Sequence, residues 1–262
     1  MITLSRQKLF ITLFAILQLI FIPIVLWLAD WQWELDNTFD GLDQFLFWIT
    51  QSGTAIIYAL LTCIVLIIVL SLFAWRKMDW IIIVATAVVL LIGTQVIKTG
   101  LKSFYKEPRP YTGYLVEQGV DLNNFYQEKR AVRSEIVAKT IENNTAMPVY
   151  LKQHWAKEVG YSFPSGHTAF AVTWLMIFIL ILPMNRKRDW AITSVIFIWA
   201  AMMIVSRIRF GMHYPIDVFV STLYVPIVCL IYAKLTQCSR LEPYFDRLQN
   251  WQDQAFSYVT RR

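Results

Sequence analysis

The sequence predicts an all-α polytopic membrane protein, with six transmembrane helices and short helices laid over one membrane surface. Three observations predict it. Hydrophobic residues make up 57% of the chain and charged residues only 16%, for a mean hydropathy of +0.48. Apolar runs are far longer than a buried helix of a water-soluble domain needs, since crossing about 30 Å of hydrocarbon takes roughly 20 helical residues. The short loops also differ in charge from one side to the other, which fixes an orientation.

Taken in order, the first span runs from Leu9 to Ala29, behind Arg6 and Lys8. The basic start also suits a signal peptide, but the stretch from Trp27 to Trp31 offers no small-x-small cleavage site, so a retained helix is expected. The segment from Asp30 to Asp43 carries Asp30, Glu34, Asp36, Asp40 and Asp43 without Lys or Arg and belongs outside. Spans two and three, Thr54 to Trp75 and Trp80 to Ile97, flank the inner pair Arg76 and Lys77. Span four, Thr168 to Leu182, is the shortest and should extend back into the preceding Pro-Ser-Gly-His. Arg186, Lys187 and Arg188 mark an inner loop before span five, Trp190 to Val205, and span six runs from Ile216 to Leu235.

Between spans three and four lies an insertion, residues 98–160, that falls outside despite its Lys and Arg, because long loops translocate largely regardless of charge. Within it, Phe125 to Ile141 and Val149 to Val159 carry apolar residues at helical spacing and predict short surface helices. Residues 1–240 thus form one transmembrane unit with this insertion, and residues 241–262 an amphipathic tail on the inner surface. With both termini inside, the end of span three, the start of span four and the junction of spans five and six meet on the outer side.

Those three places hold the chemistry-bearing strings KSFYKEPRP (102–110), PSGH (164–167) and SRIRFGMHYPID (206–217). Ser165 suits a helix N-cap, Gly166 lets a guest approach the backbone, and the unpaired N–H groups of a helix start attract an anion. His167 stands in the same first turn. Pro215 pre-sets the start of span six, so Asp217 falls in its first turn and can reach back to His213, fixing its tautomer. Lys102 and Arg109, with Lys98 a turn earlier, and Arg207 add cations suited to phosphate oxygens. Each feature alone also has a plainer reading: a cap, a capping pair, or cations snorkelling to the interface.

Together, K-x6-RP, PSGH and SR-x5-H-x3-D resemble the full signature of the type 2 phosphatidic acid phosphatase superfamily, which includes vanadium haloperoxidases. The strings EPRP, HW-x-KE-x-G-x-x-FPSGHT and GMH-x-P-x-D further resemble bacterial phosphatidylglycerophosphatases within it. The resemblance covers roughly Leu9 to Leu235. It implies hydrolysis of phosphatidylglycerol phosphate, and also of phosphatidic acid, lysophosphatidic acid, diacylglycerol pyrophosphate and undecaprenyl pyrophosphate. His213 would be the nucleophile, oriented by Asp217, and His167 the acid and then the base. Lys102, Arg109, Arg207, Ser165 and the amides of Gly166 and His167 would hold the phosphoryl group. It further implies no metal or cofactor, and a bacterial inner membrane location with the insertion and site on the periplasmic side.

Other readings stay open. Two histidines and an aspartate also suit a divalent metal, although the surrounding cations favour an oxyanion. A dedicated undecaprenyl pyrophosphate phosphatase fits the same motifs. A transporter or lipid-binding protein would place its charges at mid-depth rather than at helix ends. His154 has no motif partner and reads first as a surface residue, with an interfacial or substrate-entry role as the alternative, and the three cysteines imply no disulfide framework. The net charge of +6 is accounted for by inner loops and the anion site, without nucleic acid.

Overall fold

A computed structural model of the protein describes residues 4–35, 38–54, 56–74, 80–237 and 247. The amphipathic tail, apart from Arg247, and the inner pair Arg76 and Lys77 lie outside the described residues. Those residues form eleven helices and no strand. Five are long and apolar enough to cross a membrane: α1 (Arg6–Leu28), α3 (Ile56–Ala74), α4 (Trp80–Tyr105), α10 (Lys187–Arg209) and α11 (Pro215–Thr236). The chain is thus a multi-pass, all-helical membrane protein.

The sixth apolar helix, α9 (Gly166–Ile181), has 16 residues. At 1.5 Å per residue it is about 24 Å long, short of a full crossing. Its surroundings explain why that suffices. Every residue from Thr168 to Ile181 is buried, because α4, α10 and α11 pack around it and α1 closes the circle against α11. The surrounding helices face outward with apolar side chains such as Leu13, Phe14 and Leu17 of α1, Ile64 and Ile68 of α3, and Val89 of α4, all exposed. In water such a surface would aggregate, whereas in lipid it is matched to its solvent.

Two helices carry motif residues beyond the spans read from sequence. The third span continues to Tyr105, which brings Lys102 onto it, and the fifth continues to Arg209, which brings Ser206 and Arg207 onto it. A further helix, α2 (Gly41–Gln51), occupies part of what reads as an acidic loop. Asp40 caps it, accepting from the N–H groups of Leu42 and Asp43 at 2.9 and 3.1 Å, and Asp43 also binds Arg209 of α10. The acids there are helix-forming as well as topological signals.

The insertion is a cap built of α5 (Thr112–Glu117), α6 (Leu122–Gln127), α7 (Arg130–Ile141) and α8 (Val149–Lys157). The single helix expected over Phe125 to Ile141 is broken, with Glu128 and Lys129 extended between α6 and α7. In one straight helix Phe125 would point about 120° from Val137 and about 160° from Ile141. The break lets all three enter one core, where each is at most 1% exposed. Trp155 is at the centre of that core, stacked on Tyr111 at 4.6 Å and edge-on to Trp33 at 5.6 Å. Its indole N–H donates to the carbonyl of Phe210 at 3.0 Å, tying the cap to the chain between α10 and α11.

Candidate active site

The turn between α10 and α11 is made by Gly211, whose φ of 65° suits glycine and where a Cβ would lie 2.7 Å from the ring of Trp33. The carbonyl of Arg207 accepts from the N–H groups of Met212 and His213 at 3.0 and 3.2 Å, so the end of α10 sets the height of His213. One turn into α11, Oδ2 of Asp217 lies 3.2 Å from Nδ1 of His213. The same oxygen accepts from the Tyr214 N–H at 2.9 Å and from the Ser162 hydroxyl. A proton on Nδ1 facing the carboxylate leaves a lone pair on Nε2, which has no hydrogen-bond partner among the described residues. Burial, reinforced by Arg109, Arg207 and Lys102, pushes the His213 pKa well below the ordinary imidazole range, so the ring is neutral.

Across the site, α9 begins at Ser165, whose Oγ accepts from the Thr168 N–H at 3.3 Å and from its hydroxyl at 2.9 Å. Gly166 lies so close to Lys98 that a Cβ would meet Cδ of that lysine at 3.0 Å. Nε2 of His167 is 2.8 Å from the hydroxyl of Thr54, which itself donates to the carbonyl of Thr50 at 2.8 Å. With its one proton spent there, the Thr54 oxygen accepts from the His167 ring.

Three cations complete the site. Lys102 Nζ donates to the carbonyl of Tyr161 at 2.7 Å. Arg109 donates to the carbonyls of Gly160 and Met212 at 2.8 and 3.1 Å and pairs with Glu158 at 2.8 Å. Burial alone would raise the pKa of Glu158, but Arg109 above all, with His167 and Arg207, holds it well below the usual carboxylate range. Arg207 is fully buried, with Nη1 2.9 Å from Nε2 of His154 and with Nε and Nη2 unpartnered among the described residues.

Lys98, Lys102, Arg109, Gly166, His167 and His213 share the wall of one cavity of about 790 Å³. Glu158, Gln95 and Thr99 also line it, and the rest of its wall is apolar, chiefly Ala59 and Cys63 of α3, Leu91, Ile92 and Val96 of α4 and Phe170 of α9. The side chains of Ser165, Arg207 and Asp217 are not among those lining it. His154 departs from its reading as a surface residue: it is 2% exposed, beneath the ring of Phe47 and against Arg207. Thr54, Ser162 and Glu158 also went unassigned. Ser162, Glu158 and His154 fall in or beside the HW-x-KE-x-G-x-x-FPSGHT string, and that adjacency was the available signal.

Two histidines, an aspartate, several cations and a helix start are thus gathered where the apolar helices of a multi-pass membrane protein end. The family model of the PAP2 superfamily matches residues 79–239, and the chain belongs to that superfamily. It is 35% identical over 224 residues to phosphatidylglycerophosphatase B of Haemophilus influenzae, covering 84% of this chain and 92% of that one. The Escherichia coli protein of the same name is 30% identical over 233 residues, covering 86% and 89%.

Proposed function

We propose that this membrane lipid phosphatase, a phosphoric monoester hydrolase, converts phosphatidylglycerol phosphate to phosphatidylglycerol and phosphate through a phosphohistidine. The name shared by the two relatives and the family supports the substrate and reaction class. The observation that carries the mechanism is the 3.2 Å contact of His213 Nδ1 with Asp217, in a cavity that His213 shares with Gly166 and His167 at the start of α9. Nε2 of His213 attacks phosphorus and the P–O bond to the glycerol breaks, while His167, whose Nε2–H faces Thr54, gives the leaving alkoxide a proton that Nδ1 has taken up from the bound phosphate monoanion. A water then returns a proton to His167 while its oxygen attacks phosphorus, and the P–N bond breaks to release phosphate. Lys102, Arg109, Arg207, the Ser165 hydroxyl and the amides of Gly166 and His167 hold the phosphoryl oxygens throughout. Charge stabilisation of this kind supplies what a divalent ion supplies elsewhere.

The apolar wall from α3 and α4 suits acyl chains that stay in hydrocarbon while the headgroup meets the cations. Phosphatidic acid, lysophosphatidic acid, diacylglycerol pyrophosphate and undecaprenyl pyrophosphate present the same terminal phosphate and belong to the substrate range. The loop charges support an inner-membrane protein with both termini cytoplasmic and the site facing the periplasm.

Purified protein in EDTA, assayed against these lipids, tests the reading. Replacing His213 or His167 by Ala is expected to lower kcat/KM on phosphatidylglycerol phosphate by about 10³-fold or more. Normal turnover in His213→Ala would remove the nucleophile, and activity that vanishes in EDTA and returns with metal would replace the mechanism. A kcat/KM highest on undecaprenyl pyrophosphate would reassign the preferred substrate.

A further inference from the structure

Arg207 has no exposed surface, and one of its three guanidinium nitrogens, Nη1, is engaged, with Nε2 of His154 at 2.9 Å. Arginine only donates, so that ring nitrogen accepts, and His154 carries its proton on Nδ1. Nδ1 is itself buried and without a partner among the described residues. A phenylalanine in the same place would fill the space without that cost, so the worth of the histidine lies in its contact with Nη1.

The nitrogens left over are Nε and Nη2, whose N–H bonds point along the side edge of the guanidinium, the fork that meets two oxygens of a phosphate. The neighbouring residue fixes the frame: Trp155 binds the Phe210 carbonyl, and the Arg207 carbonyl holds the N–H groups of Met212 and His213. We infer that His154 is a positioning residue that occupies Nη1 of Arg207 and so turns the Nε and Nη2 edge toward the phosphoryl group. This rests on the reading of Arg207 as a phosphoryl ligand. His154 touches no reacting atom itself.

The test uses full-length protein in detergent, with phosphatidylglycerol phosphate turnover and inhibition by orthovanadate, a stand-in for the pentavalent phosphorus of the transition state. His154→Phe is expected to weaken vanadate inhibition and lower kcat/KM by about tenfold or more, at an unchanged or higher Tm. His154→Gln, whose amide oxygen accepts from a guanidinium, recovers most of that loss. In an Arg207→Lys background His154→Phe should cost less than about twofold, because the group it acts through has gone. Should the phenylalanine variant not fold, His154→Leu carries the same comparison. Vanadate inhibition equal to wild type, a Gln variant no better than Phe, or an undiminished cost in the Arg207→Lys background would each overturn the inference. A wild-type protein without phosphatase activity would instead overturn the function itself.

Discussion

The bundle and the cap are held together by opposite means, although each buries a continuous apolar core. The bundle sheathes α9 and turns apolar side chains out toward lipid, so its charged residues collect near helix ends. The cap is polar outside, folds around Trp155, and lends the bundle its polar partners. Carbonyls of Gly160 and Tyr161 take Arg109 and Lys102, Glu158 pairs with Arg109, Ser162 binds Asp217, and His154 binds Arg207. The bundle thus supplies the groups suited to chemistry, and the cap with its return to α9 supplies what orients them. Cations near hydrocarbon need carbonyls and carboxylates, and the cap with its return to α9 supplies most of those that hold Lys102 and Arg109.

If the cap is the orienting half, breaking its core should disarm the site. Trp155→Ala, at a position with no exposed surface, is expected to cost about 3–5 kcal/mol of stability and most of the activity. A large fall in Tm with full turnover would show the two halves to be independent. A finer cut is Ser162→Ala, which removes one of the donors to Asp217 and leaves the Tyr214 N–H. It should lower kcat/KM about tenfold with little change in Tm, and an unchanged kcat/KM would place the orienting function wholly within the bundle.

Acid should weaken the same contacts. His154 is pushed by burial, and then by Arg207, from an ordinary 6.5 down to about 3. Between those values the unfolded chain holds a proton that the folded chain does not, so stability falls as pH drops below about 6.5. Glu158 acts in the same direction: its depressed pKa adds stability above the usual carboxylate value of 4.5 that is lost as pH falls. Tm measured from pH 8 to 4 should decline below 6.5, with a contribution of up to about 1.4 kcal/mol per pH unit from His154. His154→Phe should flatten that decline, and an identical slope would mean the imidazole is not held neutral. The smallest effect is expected on the cap's outer face, where Glu135 and Lys139 pair at 2.8 Å in water. Glu135→Ala should leave Tm and turnover unchanged.

Local pattern made the membrane helices and the motif positions legible. Length and hydropathy mark six apolar runs, and an N-cap serine before an apolar run marks the start of α9. What pattern missed are partners distant in sequence. Thr54 is 113 residues from His167, Ser162 is 55 from Asp217, and His154 is 53 from Arg207. No spacing rule reaches that far, since such pairs exist only once the cap has closed on the bundle. The break at Glu128 and Lys129 was hidden for a related reason. Helical periodicity is satisfied on both sides of it, and only the shared core of Phe125, Val137 and Ile141 requires the chain to turn. Asp40 and Asp43 were visible as charge but serve also as helix caps.

The burial of α9 on every side bears on how the protein meets membranes of different thickness. Helices that touch lipid answer a thicker or thinner bilayer by tilting, or by drawing lipid in around them. Here that response falls on α1, α3, α4, α10 and α11, while α9 touches other helices rather than acyl chains. The helix whose first turn carries Ser165, Gly166 and His167 is therefore shielded from hydrophobic mismatch, and its start keeps its place among its neighbours as acyl-chain length varies.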